Sequence, residues 1–247
     1  MGEVGKRLGG FTLVLAGAFG FSYAVGERLP GHSHTHSHAA NTTAYQLSPE
    51  PDGRYTLRAQ NGTALTSMAV NHQALLHVVM VRPDLSEMVH IHPTPAADGS
   101  FDAPAPDAGP WRIFAEALPT GQTTAVVGHL DVGDGASFAP APLPAVAPTT
   151  TTSVHDDTIT VTRDGMQFTV TAPRDTQPYL GMPAHLIVVR STDLAFFHLH
   201  PVTTGPNHFV FDATGLGDGT YRVFLQFTYD GTVVTIPMTM HRGMGQG

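Results

Sequence analysis

The chain has no cysteine among its 247 residues. That excludes disulfides, thiolate metal sites and cysteine nucleophiles together. Any soft-metal ligand must then be methionine or histidine. Lysine is nearly absent too, Lys6 being the only one. At a formal net charge of −8 the chain offers no basic stripe to neutralise phosphates, which argues against a nucleic-acid partner. Helical periodicity is scarce. H-E-x-x-H, G-x-S-x-G and phosphate-binding glycine loops are all missing, so a non-enzymatic protein is expected.

Histidine, by contrast, is abundant, with 15 residues. The pattern His-x12-His-x-His-Pro occurs twice with identical spacing: His77, His90, His92, Pro93 and His185, His198, His200, Pro201. All three histidines shift by 108 residues, and Arg82 and Arg190 fall in the same register. Downstream, Gly109/Gly219, Trp111/Tyr221, Arg112/Arg222, Phe114/Phe224 and Gly121/Gly231 align at an offset of 110. The period is too long for a solenoid repeat of about 20–50 residues. It matches a domain of about 100 residues, so the chain is a tandem duplication.

Each histidine set reads as a β-hairpin. Residues 77–81 and 88–92 flank a turn rich in Pro and Asp. With the turn centred between Asp84 and Leu85, His77 lies opposite His92 and Val79 opposite His90. His90 and His92 are two apart and share a face, so three imidazoles project from one face of a strand pair. Opposed Cβ atoms sit about 4.5–5.5 Å apart, close enough for imidazoles to converge on an ion at about 2.0–2.1 Å per bond. The second copy places His185 opposite His200, with His198 beside them. A competing reading is structural: Val78, Val79, Met80 and Val81 make the strand apolar on both faces, and a buried neutral histidine bonded to backbone needs no metal. His72 has Leu180 as its counterpart and is a candidate fourth ligand in the first copy only. Met238 and Met240 beside His241, with Met80, Met88 and Met182 near the histidines, offer thioethers that suit copper, especially Cu(I). Equally, they are gap-fillers of a core.

At the N-terminus, Lys6 and Arg7 precede 18 uncharged residues, 8–25. As a helix they span about 27 Å, against a hydrocarbon core about 30 Å thick. The positive flank stays inside, which places the remainder outside the cell. The segment is either a cleaved signal peptide, with Ser22-Tyr23-Ala24 as the small-x-small site, or an uncleaved anchor, and its length favours the anchor. The tract that follows, with His32, His34, His36 and His38 at alternate positions, has the composition of a metal-binding segment.

Short β-branched and aromatic runs bounded by Gly, Pro, Asn and Asp recur throughout. Strands are expected over 54–59, 77–81, 88–92, 111–116 and 124–132, and again over 158–162, 167–171, 184–190, 196–200, 208–212, 221–229 and 232–240. The expected fold is all-β: two tandem antiparallel β-sandwiches of immunoglobulin-like or cupredoxin-like type after one N-terminal transmembrane helix. The boundaries are a membrane segment over 1–30, a His-rich linker over 31–43, a first sandwich over 44–135, a Pro/Ala/Thr linker over 136–152 and a second sandwich over 153–242.

The strings MVHIHPT, YLGMPAHLIVVRSTDLAFFHLHP and YRVFLQFTYDG, behind a membrane segment, resemble a family of actinobacterial secreted or membrane-anchored proteins. These are usually labelled hypothetical or heavy-metal-binding, with paired His-x-His-Pro elements. The resemblance implies an extracytoplasmic β-sandwich protein in copper or heavy-metal handling. A looser, fold-level likeness is to periplasmic copper-binding sandwiches of the copper-resistance type. Residues and resemblance together lead to the expectation of a membrane-tethered buffer or chaperone for copper or zinc, acting with a metal-transport partner. The alternative is a partner-binding sandwich pair with structural histidines.

Overall fold

A computed structural model describes residues 44–243, apart from Pro106 and Ser137. The expected membrane segment and His32, His34, His36 and His38 lie outside the described residues. Among the described residues, no helix is long and apolar enough to cross a membrane.

The fold is all-β. The first repeat contains β1 (Tyr45–Pro49), β2 (Tyr55–Ala59), β3 (Met68–Ala69), β4 (Leu76–Val81), β5 (Met88–Ile91), β6 (Ser100–Phe101), β7 (Trp111–Pro119) and β8 (Val126–Val132). The second contains β9 (Thr149–Val154), β10 (Asp157–Asp164), β11 (Gln167–Thr171), β12 (His185–Arg190), β13 (Phe196–Leu199), β14 (Pro201–Gly205), β15 (His208–Phe211), β16 (Gly219–Tyr229) and β17 (Thr232–Arg242). Each repeat is a β-sandwich. In the first, β1-β2-β6 faces a sheet in which β7 lies between β4 and β8, with β5 at the edge beyond β4 and β3 pairing the far end of β7. In the second, β14-β15-β11-β10-β9 faces β13-β12-β16-β17. The sheets carrying β4 and β12 therefore have matching order.

Alternation along these strands explains how two cores and a third cluster arise from one pattern. Leu186 and Val188 of β12, with Tyr221, Val223, Leu225 and Phe227 of β16, pack inward on Ile159, Val161, Phe168 and Phe209 of the opposite sheet. In the first repeat Val78, Met80, Trp111, Ile113 and Ala115 pack inward on Leu47, Leu57 and Phe101. The alternate residues face the other repeat: Val79, Val81, Phe114 and Val127 meet Ile187, Val189, Phe196 and Phe224 in one buried cluster. At its centre Phe114 stacks on Phe196, with ring centroids 4.4 Å apart and an interplanar angle of 12°. Such a pair adds about 0.5–1.5 kcal/mol beyond its buried area. These central strands are apolar on both faces because each has a sandwich on one side and its twin on the other.

Several segments differ from expectation. The threonine run placed in the linker forms β9, with six residues paired to β10. Its exposure alternates along the strand, and its pairing is carried by backbone, so no apolar side chain announces it. The rest of the connection is pinned. Ala141 N–H donates to Asp84 Oδ2 at 2.7 Å, and Leu143 packs against the cluster between the repeats. Strands β1, β3, β6 and β14 were likewise not legible in the pattern, being short or largely exposed.

Arg82, which shares the histidine register, has a structural role. Its guanidinium lies 4.3 Å over Trp111 and bonds Asp107 and the carbonyls of Ala108 and Pro110. A Cβ on Gly109, which has φ of 109°, would sit 2.6 Å from Arg82, so this turn requires glycine.

Candidate metal centre

The β4–β5 hairpin has the register that its turn composition predicts, with Val79 opposite His90 and Val78 opposite Ile91. The β12–β13 hairpin repeats it, with Ile187 opposite His198 and Leu186 opposite Leu199. His77, His90 and His92 converge, as do His185, His198 and His200; in each set one nitrogen per ring lies within 4.8 Å of the other two. His77 Nδ1 is 3.0 Å from His92 Nε2. His185 Nδ1 is 3.1 Å from both His198 Nε2 and His200 Nε2. Four nitrogens arranged tetrahedrally around an ion at ~2.0–2.1 Å stand about 3.3 Å apart, so the rings are close to a ligating arrangement without rearrangement of the backbone.

The outward nitrogens of four rings are held by the protein. His77 Nε2 donates to Asn71 O at 3.0 Å and His185 Nε2 to Tyr179 O at 2.9 Å. Both carbonyls belong to tight turns, Asn71–Ala74 and Tyr179–Met182, closed by paired backbone bonds. Both turns have left-handed central residues, His72 and Gln73 in one and Leu180 and Gly181 in the other. The remaining two partners come from across the contact between repeats. His90 Nδ1 donates to Gln226 Oε1 at 2.8 Å, and His198 Nδ1 faces Glu116 Oε2 at 3.2 Å. Bonding the far nitrogen to an acceptor fixes the tautomer and turns the other lone pair inward, as ligating histidines require.

The two triads form one cluster. His77 and His90 each approach His198 with ring centroids 5.0 Å apart, and His90 approaches His185 at 5.7 Å. His72 does not converge with His77. It stands against the other triad, its ring centroid 3.7 Å from that of His200. Tyr179 lies between the sets, 5.5 Å from His185 and 5.9 Å from His92. His77, His90, His185 and His198 are buried, whereas His92 and His200 are half-buried at the rim. Most of the methionines go elsewhere: Met80, Met238 and Met240 are in the sandwich cores and Met88 packs in the cluster between repeats, whereas Met182 closes the turn that carries Tyr179.

Burial sets the proton inventory. It holds His185 down at about 4 and His92 at about 3, the latter helped by His77 and His185. It lowers His77 and puts His90 and His198 well below the usual imidazole value. His77, His90, His92, His185 and His198 are therefore neutral near pH 7, the form that binds metal. Burial pushes Glu116 up to about 8.

Glu116, Gln226, Asn71 and Tyr179 were not among the residues singled out from sequence. Glu116 and Gln226 sit at the same offset of 110 as Phe114 and Phe224, and a polar pair inside two apolar strands was the available signal. That each triad leans on the other repeat had no signal in one sequence.

No curated protein matches the chain. A family model described as a domain of unknown function, DUF8832, matches residues 35–133 and again 146–243, the same two repeats that carry the triads. The chain belongs to this family and contains two tandem copies of its domain.

Proposed function

We propose that the chain is a metal-binding protein that holds zinc or copper in its two histidine triads and acts outside the cell, tethered by its N-terminal segment, as a metal buffer or chaperone. The observation that carries this reading is His90 Nε2. It is buried without a hydrogen-bond partner, while Nδ1 of the same ring is committed to Gln226. A buried polar atom left unmatched costs about 1–3 kcal/mol, and an ion shared with His77 and His92 removes that cost. An all-imidazole donor set suits Zn(II) or Cu(II) better than a thioether site for Cu(I). The likeness to secreted proteins labelled heavy-metal-binding points the same way.

A test is isothermal calorimetry and elemental analysis on the full-length chain in detergent, with His32, His34, His36 and His38 replaced by Ser. Two ions per chain are expected, falling to one in His90→Ala/His92→Ala. Absence of binding with both Zn(II) and Cu(II) refutes the proposal. One observation favours a structural role instead: the bonds of His90 to Gln226 and of His198 with Glu116 fasten one repeat to the other. That role uses only the outward nitrogens, and it predicts a melting temperature indifferent to metal.

A further inference from the structure

We infer that the two triads act as a single dinuclear centre that takes a small bridging anion, and not as two independent single-ion sites. The inference rests on the metal-binding reading above. Its first support is distance. Ring centroids within the triads are 4.4–5.8 Å apart. The three close approaches between triads, at 5.0, 5.0 and 5.7 Å, fall inside the same range. Rings of one set pack against rings of the other, so the two triads lie side by side.

The second support is a shared rim. His92 and His200, the half-buried members, lie on the side where the two tight turns meet, and a Cβ on Gly181 would fall 1.9 Å from Gln73 Nε2. Tyr179 from one of those turns flanks both His92 and His185, and His72 from the other turn covers His200. The half-buried ring of each triad is therefore flanked by a residue of the two turns, on the same side of the cluster.

The third support is charge and ligand number. Six neutral imidazoles contribute no charge to offset two divalent cations. Glu116 is the only buried acid among the described residues, and its mirror position is the uncharged Gln226. Three nitrogens also leave each ion one ligand short of four, the open position typical of sites that bind an exogenous ligand. One anion between the ions, such as hydroxide or azide, completes both coordination shells and lowers the charge.

The experiment is paramagnetic resonance on the full-length chain with the four tract histidines replaced by Ser, loaded with Cu(II) and titrated with azide. Expected is a signal per copper that falls severalfold between one and two equivalents through coupling of the two ions, and a spectrum that azide alters. Loading one equivalent of diamagnetic Zn(II) with one of Cu(II) restores about half of the single-ion signal without any mutation, the share of copper that random filling pairs with zinc. Two bound coppers giving an undiminished sum of two isolated signals would overturn the dinuclear centre while leaving metal binding intact. Failure to bind copper and zinc at all would overturn the metal-binding reading itself.

Discussion

His198 of the second repeat sets its Nδ1 3.2 Å from Glu116 Oε2 of the first, and His90 of the first sets its Nδ1 2.8 Å from Gln226 Oε1 of the second. The two contacts are mirror images in position, and only the one made by Glu116 can ionise. Each triad is oriented by a side chain from the opposite repeat, so site and domain contact form together.

Glu116 makes the metal-free protein sensitive to alkali. Its folded carboxyl titrates at about 8 against an ordinary 4.5. Between those values the unfolded chain is ionised while the folded one keeps its proton, so stability falls as pH rises through that window. The full difference corresponds to on the order of 5 kcal/mol at ~1.4 kcal/mol per tenfold change. Glu116→Gln, which copies Gln226, is expected to flatten this slope and stabilise the chelated protein at pH 8. Urea denaturation of both proteins at pH 5 and pH 8 measures it, and an unchanged slope contradicts the assignment.

The histidines give the opposite limb. His185 at about 4 and His92 at about 3 are lowered from 6.5 by burial. Their neutral forms are favoured by folding, so the stability they contribute is complete above about pH 6.5 and is lost as pH falls toward 4. With chelator present, the melting temperature is expected to drop steeply from pH 6.5 to 4.5. Saturating Zn(II) raises it most near neutrality, where imidazole is free to ligate. A scan of melting temperature against pH, with and without metal, tests both parts.

Much of this was legible in the residues and some was not. The spacing of His77, His90 and His92 around an even turn determined the hairpin register, because a one-residue slip would have turned His77 to the other face. The apolar residues on both faces of 78–81 signalled burial on two sides but not by what. The second face is covered by the other repeat, and only three-dimensional placement brings Gln226 to His90 and His72 to His200. The threonines of β9 were illegible for another reason: their pairing is made by backbone, which any residue supplies.

Phe114 should control the contact between repeats. It is 2% exposed and stacks on Phe196. Phe114→Ala removes a buried aromatic at a cost of about 3–5 kcal/mol. Because the site's outer hydrogen bonds cross the same contact, metal affinity is expected to fall together with stability. Denaturant unfolding is expected to separate into two transitions as the repeats uncouple. A single transition with unaltered metal affinity would show that the cluster does not support the site.

Gly181 is a test of the turn that presents Tyr179 O to His185. Its φ of 73° disfavours any side chain, and a Cβ there meets the end of Gln73. Gly181→Ala is expected to lose about 1 kcal/mol from backbone strain, plus a contribution from Gln73. Adding Gln73→Ala should recover the second part and not the first. A double-mutant cycle by thermal unfolding separates them.

The pattern in which one repeat's histidine meets the other's amide or acid, and the reverse, is an isologous contact of the kind that joins identical subunits about a two-fold axis. In a homodimer both halves must carry the same residue at each position. Joined in one chain, they are free to part company: Glu116 opposite Gln226, His72 opposite Leu180, Asn71 opposite Tyr179. Fusion thus gives a symmetric frame two chemically distinct ends, and separate expression of either repeat would force that distinction back into duplicate.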